Sequence, residues 1–234
     1  MDNYEINSMT VGEIVAMDFR AASVFKEAGI DFCCGGKKGF SESCSEKGID
    51  EELLKEKIIS LASDPYTSAP NYNEWAPDFL CDYIVNTHHK YVLKTLPELV
   101  HYTSKISGVH GENHPELKEI AVLFAEVNIE LLKHLESEEK VLFPSIKEYL
   151  ASGSLRSKGI IESEIEHLSS EHEFAGGAID QINIMTDGYR IPEDGCNTYS
   201  VTFKLLQQFE DDLHIHVHLE NNILFPKLFK LINK

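Results

Sequence analysis

The chain has 234 residues, of which 42% are hydrophobic and 26% charged, a globular balance that excludes a fully disordered protein. Asp and Glu number 39 against 21 Lys and Arg, and the formal net charge of −18 argues against binding to phosphate backbones, so no nucleic-acid partner is expected. No apolar run approaches the roughly 20 residues of a membrane span, and the start Met1-Asp2-Asn3-Tyr4-Glu5 has no apolar core of a signal peptide, so neither a membrane partner nor export is expected.

In chain order, the first 62 residues predict a small helical domain. Thr10 and Glu13 have capping-box spacing, and Val11, Ile14, Val15, Ala22 and Phe25 follow with helical periodicity to a stop at Gly29. A second helix is expected from Asp50. Residues 63–77 read as a linker, since Pro65, Pro70 and Pro77 fall there among Ser, Asn and Thr. Residues 78–234 predict four long helices: about 78–107, then from near Asn113 to Gly153, about 157–187, and from Asn197 onward. Short connections between such helices suggest an up-down four-helix bundle, and the predicted class is all-α.

The last part carries an internal repeat. His134-x3-Glu138-x3-Leu142-Phe143-Pro144 and His216-x3-Glu220-x3-Leu224-Phe225-Pro226 share every offset, and Glu130 and Asp212 each sit four residues before the histidine. Residues four apart stack on one helix face, so each helix presents a column of acid, His, Glu and Leu toward the core. Burying carboxylates and imidazoles is costly unless they pair or bind metal. Two such columns facing each other would let the glutamates bridge two metals, with iron, manganese or zinc suited to the donor set. The other helices offer His88, His89 and His101, and His167 and His172, to complete the shells. His89 lies 45 residues before His134 and His172 lies 44 before His216, although spacing alone does not separate His89 from His88. A single His-x3-Glu on an acidic helix is usually a solvated pair; the repetition is what favours metal. Glu130 and Asp212, one turn before a ligand histidine, are expected to accept its free ring N–H or, alternatively, to line a proton or iron path. His214 and His218 lie off the column and read as surface or supporting residues.

Five cysteines, two of them adjacent, fit a reducing cytoplasm better than a disulfide scaffold. The segment Asp31-Phe32-Cys33-Cys34-Gly35-Gly36-Lys37-Lys38 has two readings. One is a pair of small buried residues at a turn; the other is a reactive or metal-transferring dithiol, with the lysines favouring thiolate. Cys44, Cys81 and Cys196 are isolated and read as structural.

Together, Asp31-Phe-Cys33-Cys34-Gly-Gly, the His89-x6-Leu96-Pro97-Glu98-Leu99 helix, the two His-x3-Glu-x3-Leu-Phe-Pro helices and Ser170-Glu171-His172 resemble the repair-of-iron-centres family, the ScdA-type di-iron proteins. The resemblance covers nearly the whole chain and implies a small cysteine-bearing domain before a hemerythrin-like bundle. It implies His89, His134, His172 and His216 as terminal ligands and Glu138 and Glu220 as bridges of two iron ions. It selects His89 over His88 and His172 over His167. It implies a role for Cys33 and Cys34 in redox or iron transfer. The implied function is repair of iron–sulfur proteins damaged by nitrosative or oxidative stress, through iron supply in the cytoplasm. Alternatives with the same site are reduction of nitric oxide or peroxide, and gas binding or sensing. The implied partners are damaged iron–sulfur proteins together with nitric oxide or oxygen species, and an oligomer is compatible with the sequence.

Overall fold

The computed structural model describes residues 6–61 and 70–233. Every regular element among them is helical. The first part holds α1 (Val11–Met17), α2 (Ala21–Glu27), α3 (Phe40–Lys47) and α4 (Glu51–Leu61). The second holds α5 (Pro77–Ile84), α6 (Lys90–His110), α7 (Glu116–Ser137), α8 (Phe143–Ser152), α9 (Leu155–Met185), α10 (Asn197–His218) and α11 (Phe225–Ile232). The expected all-α class, a small N-terminal helical region followed by a bundle of long helices, is the one observed.

The expected capping box is present. Thr10 accepts from the Glu13 N–H at 3.2 Å, and Glu13 accepts from the Thr10 N–H at 2.9 Å. The helix behind it is not continuous to Gly29. Asp18 adopts an extended φ of −141° and ends α1. Its carboxylate then takes the Arg20 N–H at 3.1 Å and the Arg20 guanidinium at 2.6 Å, which starts α2 in a new direction. Gly29 does stop α2, at φ +65°. Helix α3 has no counterpart in the sequence reading, because only Phe40 and Cys44 of its Ser- and Glu-rich run are buried apolar residues. Of the linker expected over 63–77, residues 63–69 lie outside the described part, while 72–74 form a single 3-10 turn.

The chain divides into two compact units. The middle unit is Cys81–His214 and the terminal unit is Met1–Leu80 with Ile215–Lys234, so the division falls inside α10. In the middle unit α7 packs against α6 and α9, and α8 against α9. The early part of α10 joins them through Phe209, whose ring lies 5.5 Å from that of Phe124, both wholly buried. In the terminal unit, Phe25 and Phe40 meet edge to face at 6.2 Å. Lys227 of α11 donates to the carbonyls of Asn73 and Trp75 at 2.7 and 2.8 Å.

Three π-helical turns interrupt the long helices: Val85–His89, Glu138–Leu142 and Leu219–Leu224. In each, the amide that follows bonds five residues back. Lys90 donates to Val85, Phe143 to Glu138 and Phe225 to Glu220. The latter two have a local cause. Pro144 and Pro226 come directly after, lack an N–H and crowd the carbonyl four residues earlier, so the turn before them widens. Single π turns concentrate at functional sites because they re-aim side chains without ending the helix. These three contain His89, Glu138 and Glu220.

Candidate metal centre

In the middle unit, α6 and its π turn, α7 and α9 bring four polar side chains into an apolar interior. His89 and Glu138 are 0% exposed, His172 1% and His134 2%. Oε2 of Glu138 lies 3.3 Å from Nε2 of His89 and 3.4 Å from Nε2 of His134, so one carboxylate oxygen sits between imidazoles from two helices. Nε2 of His172 is 3.0 Å from Nε2 of His134. Donor atoms of His134, Glu138 and His172 all lie within 4.8 Å of one another.

The far side of two of these rings is held by carboxylates. Nδ1 of His134 is 2.8 Å from Glu171, and Nδ1 of His89 is 2.9 Å from Glu139. A proton on Nδ1 donated to the carboxylate leaves the Nε2 lone pair directed inward, the tautomer a metal ligand needs. The bond from His134 also holds the Glu171 carboxyl below its ordinary range. Glu138 is the telling member. Its two oxygens are fully buried and make no hydrogen bond. A bare buried carboxylate costs several kcal/mol, roughly, unless a cation offsets it. The donor set therefore fits a buried divalent cation of the iron, manganese or zinc type.

In the terminal unit the second copy of the motif has the same local geometry. His216 Nε2 is 3.3 Å from Glu220 Oε1, and the two residues are 1% and 0% exposed. Each copy thus places its His one turn before its Glu and its Glu carbonyl under the π-turn amide of the following Phe.

The carboxylate on His134 is Glu171, not Glu130. Glu130 sits toward solvent and pairs with Lys133 at 2.9 Å. Asp212 lies 3.0 Å from Nδ1 of His88, so it supports the neighbour of a candidate ligand. Glu139 and Glu171 were not singled out from the sequence. The signal was adjacency: each is next in sequence to a candidate ligand, Glu138 or His172, and the π turn and the ring orientation make that adjacency useful.

Cys33 and Cys34 lie in the terminal unit. Cys33 is 4% exposed and Cys34 partly exposed. The hydrogen bond to Cys34, together with burial, pushes the Cys33 thiol well above its ordinary range, and Lys38 is engaged with Glu46 at 2.6 Å. Lys38 is thus taken up by a carboxylate, and of the two readings of the turn the raised Cys33 thiol does not favour the lysine-activated one. His218 is not a surface residue. It is wholly buried, with its ring 5.8 Å from that of Phe32, and burial pushes it down to about 4, so it stays neutral. Cys44 and Cys81 are buried, whereas Cys196 is exposed, with Sγ 3.2 Å from Nε2 of His110. Among the described residues, no helix is long and apolar enough to cross a membrane.

Comparison with known proteins agrees with these features. Residues 7–62 match ScdA_N, a domain of unknown function, and residues 82–228 match the Hemerythrin HHE cation binding domain. The iron-sulfur cluster repair protein ScdA of Staphylococcus epidermidis is 31% identical over 219 residues, 93% of this chain and 96% of that protein. The iron-sulfur cluster repair protein YtfE of an Enterobacter species is 30% identical over 93% of this chain and 94% of that protein. YtfE of Yersinia pestis is 29% identical over 97% and 99%. A two-domain match over almost the full length of both partners, with a buried His–Glu cluster inside the cation-binding domain, places the chain in the ScdA/YtfE iron–sulfur cluster repair family.

Proposed function

We propose that this chain repairs damaged iron–sulfur clusters by supplying iron from a carboxylate-bridged pair of iron ions. His89, His134, His172 and His216 would be the terminal ligands, and Glu138 and Glu220 the bridges. The carrying observation is Glu138, wholly buried, without a hydrogen bond, and with one oxygen 3.3 and 3.4 Å from two imidazole nitrogens. The exact repeat of its motif at His216 and Glu220 supports extending the same role to the second copy. The names of the relatives support the repair role, and damaged iron–sulfur proteins are then the partners.

The residues that the chain contributes have separable tasks. Glu139 and Glu171 fix the ring tautomers of His89 and His134 and keep their Nε2 atoms unprotonated. Apolar neighbours such as Phe143, whose ring stacks on His89 at 5.7 Å, exclude bulk water from the carboxylate. When bound, the metal pair supplies redox-active, exchangeable iron. Residues 78–234 would be the iron-holding domain and residues 1–62 the domain that serves transfer. The cytoplasm is the compartment proposed, since all five cysteines are free thiols.

The test is repair in a defined mixture. Iron-loaded protein is added without oxygen to an iron–sulfur enzyme damaged by nitric oxide, and recovered enzyme activity is compared with iron lost from the protein. Recovery matched by iron loss is expected. Recovery without iron loss, or rapid nitric oxide consumption with no recovery, would overturn iron supply in favour of reduction chemistry.

A further inference from the structure

The turn after α2 gathers donor atoms that the histidine–carboxylate cluster does not use. Sγ of Cys33 lies 3.8 Å from Sγ of Cys34 and 3.1 Å from Oδ1 of Asp31. One donor atom from each of the three lies within 4.8 Å of the others. A tetrahedral ion with metal–sulfur bonds of about 2.3 Å spans about 3.8 Å between two sulfur ligands, so the thiols already stand at the separation a single ion requires. We propose that Asp31, Cys33 and Cys34 form a second metal site, chemically distinct from the histidine–carboxylate one, that takes one thiophilic divalent cation.

The turn is built to hold this arrangement. Oδ1 of Asp31 accepts the Cys33 N–H at 2.8 Å, and Oδ2 accepts the Gly35 N–H at 2.7 Å. From the last π turn, Nδ2 of Asn222 donates to the carbonyls of Phe32 and Cys33 at 3.2 and 3.0 Å. Gly36 is buried directly against Asn222, where a Cβ would stand 2.6 Å from Oδ1. Backbone on both sides of the dithiol is thus pinned before any ion arrives, which lowers the ordering cost of binding. Asp31 is exposed and Cys34 partly so, which leaves the site open to an incoming ion, while Cys33 is buried.

The exchange balances simply. The cation enters, two metal–sulfur bonds form, and the two thiol protons leave to solvent. Two thiolates and one carboxylate leave a fourth tetrahedral position for water or an incoming ligand, the open form of such sites rather than the closed structural one. An open site releases its ion more readily than a closed one. If the iron-supply reading holds, ferrous iron is the cation of this class that the site would handle; the site itself does not depend on that reading.

Cobalt(II) is the probe. It is titrated without oxygen into the full-length protein carrying Cys196→Ser, which removes the other exposed thiol. One cobalt per chain is expected to give intense thiolate-to-cobalt charge transfer, with release of about two protons. Histidine–carboxylate ligands cannot produce this band, so its presence is independent of metal in the bundle. Asp31→Asn should weaken cobalt binding about tenfold. Adding Cys33→Ser and Cys34→Ser should abolish the band at unchanged circular dichroism and unchanged iron content. In the chain with no substitution, cobalt should also protect both thiols from alkylation as mapped by mass spectrometry, a readout that needs no variant to fold. No charge-transfer band at saturating cobalt, a band that survives the double cysteine change, or thiols alkylated at the same rate with and without cobalt would each overturn the proposal. Any of these results would mean the 3.8 Å approach is only a thiol–thiol hydrogen bond, and would leave the iron-holding residues of the bundle untouched.

Discussion

The amide of Phe225 donates to the carbonyl of Glu220, five residues back, and Phe143 does the same to Glu138. The two candidate bridging carboxylates are therefore each carried at the widened turn of a helix, six residues before a proline that keeps that turn open. A regular α-turn would place the same side chain about 100° further around the helix per residue gained or lost, so the π turns set where these carboxylates point.

Glu138→Gln separates the cost of the buried carboxylate from its use. Removing a buried charge that has no hydrogen bond should raise the stability of the metal-free protein by about 1 kcal/mol or more. The same change should remove the stabilisation that metal gives the parent, about 2.7 kcal/mol at a metal concentration 100 times Kd. Denaturant unfolding with and without iron checks both signs at once. Parallel losses of stability in both conditions would mean that Glu138 is a structural residue.

Glu171 and Glu130 make a matched pair for testing which carboxylate orients His134. Glu171→Ala should weaken metal binding about 10- to 100-fold, the usual cost of losing a hydrogen-bond partner of a ligand histidine. Glu130→Ala removes only an ion pair near the surface and should leave affinity unchanged. Competition with a chelator of known affinity gives both values.

Much of the architecture was legible in the residues, and what escaped has physical causes. Thr10 and Glu13 announce α1 because the capping box is a local hydrogen-bond pattern. The long helices follow from sustained periodicity, and the burial of His134 with Glu138, and of His216 with Glu220, from the repeated column. The break at Asp18 depends on a side chain two residues away, Arg20, and no periodicity reports it. Helix α3 shows too few apolar residues to reveal itself. The choice of Glu171 over Glu130 turns on ring orientation across two helices, which i, i+4 arithmetic on one helix cannot see. Which carboxylate takes Lys38 is likewise not visible in chain order, since it pairs with Glu46, eight residues on.

Cys196 should behave as an activated thiol. Its hydrogen bond with His110 draws it down to about 7 from the ordinary value of 9.0. A lowered value means the thiolate is the main form between those two pH values, where an unperturbed thiol is still protonated. The alkylation rate of Cys196 should therefore rise with a midpoint near pH 7, moving toward 9 in His110→Ala. A midpoint near 9 in the parent would show that the contact with His110 does not activate it.

Gly12 and Gly36 face Asn222 from two segments, with the nearest built Cβ distances to its Oδ1 at 2.4 and 2.6 Å. Asn222 cannot swing away without giving up the Phe32 and Cys33 carbonyls. Gly12→Ala and Gly36→Ala should each destabilise the terminal unit by about 1–3 kcal/mol, in the range of overpacking. Limited proteolysis between residues 6 and 61 would register it. Unchanged resistance in both variants would mean that this contact is loose.

The proposed pair of iron ions, with one bridge from each copy of the His-x3-Glu motif, can be read by iron quantitation with Mössbauer spectroscopy on protein purified without oxygen. Two irons per chain with the spectrum of a coupled pair are expected, and that pair should be lost when both Glu138 and Glu220 are changed to Ala. One iron or none in the fully loaded parent, or a coupled pair that persists in the double variant, would contradict it.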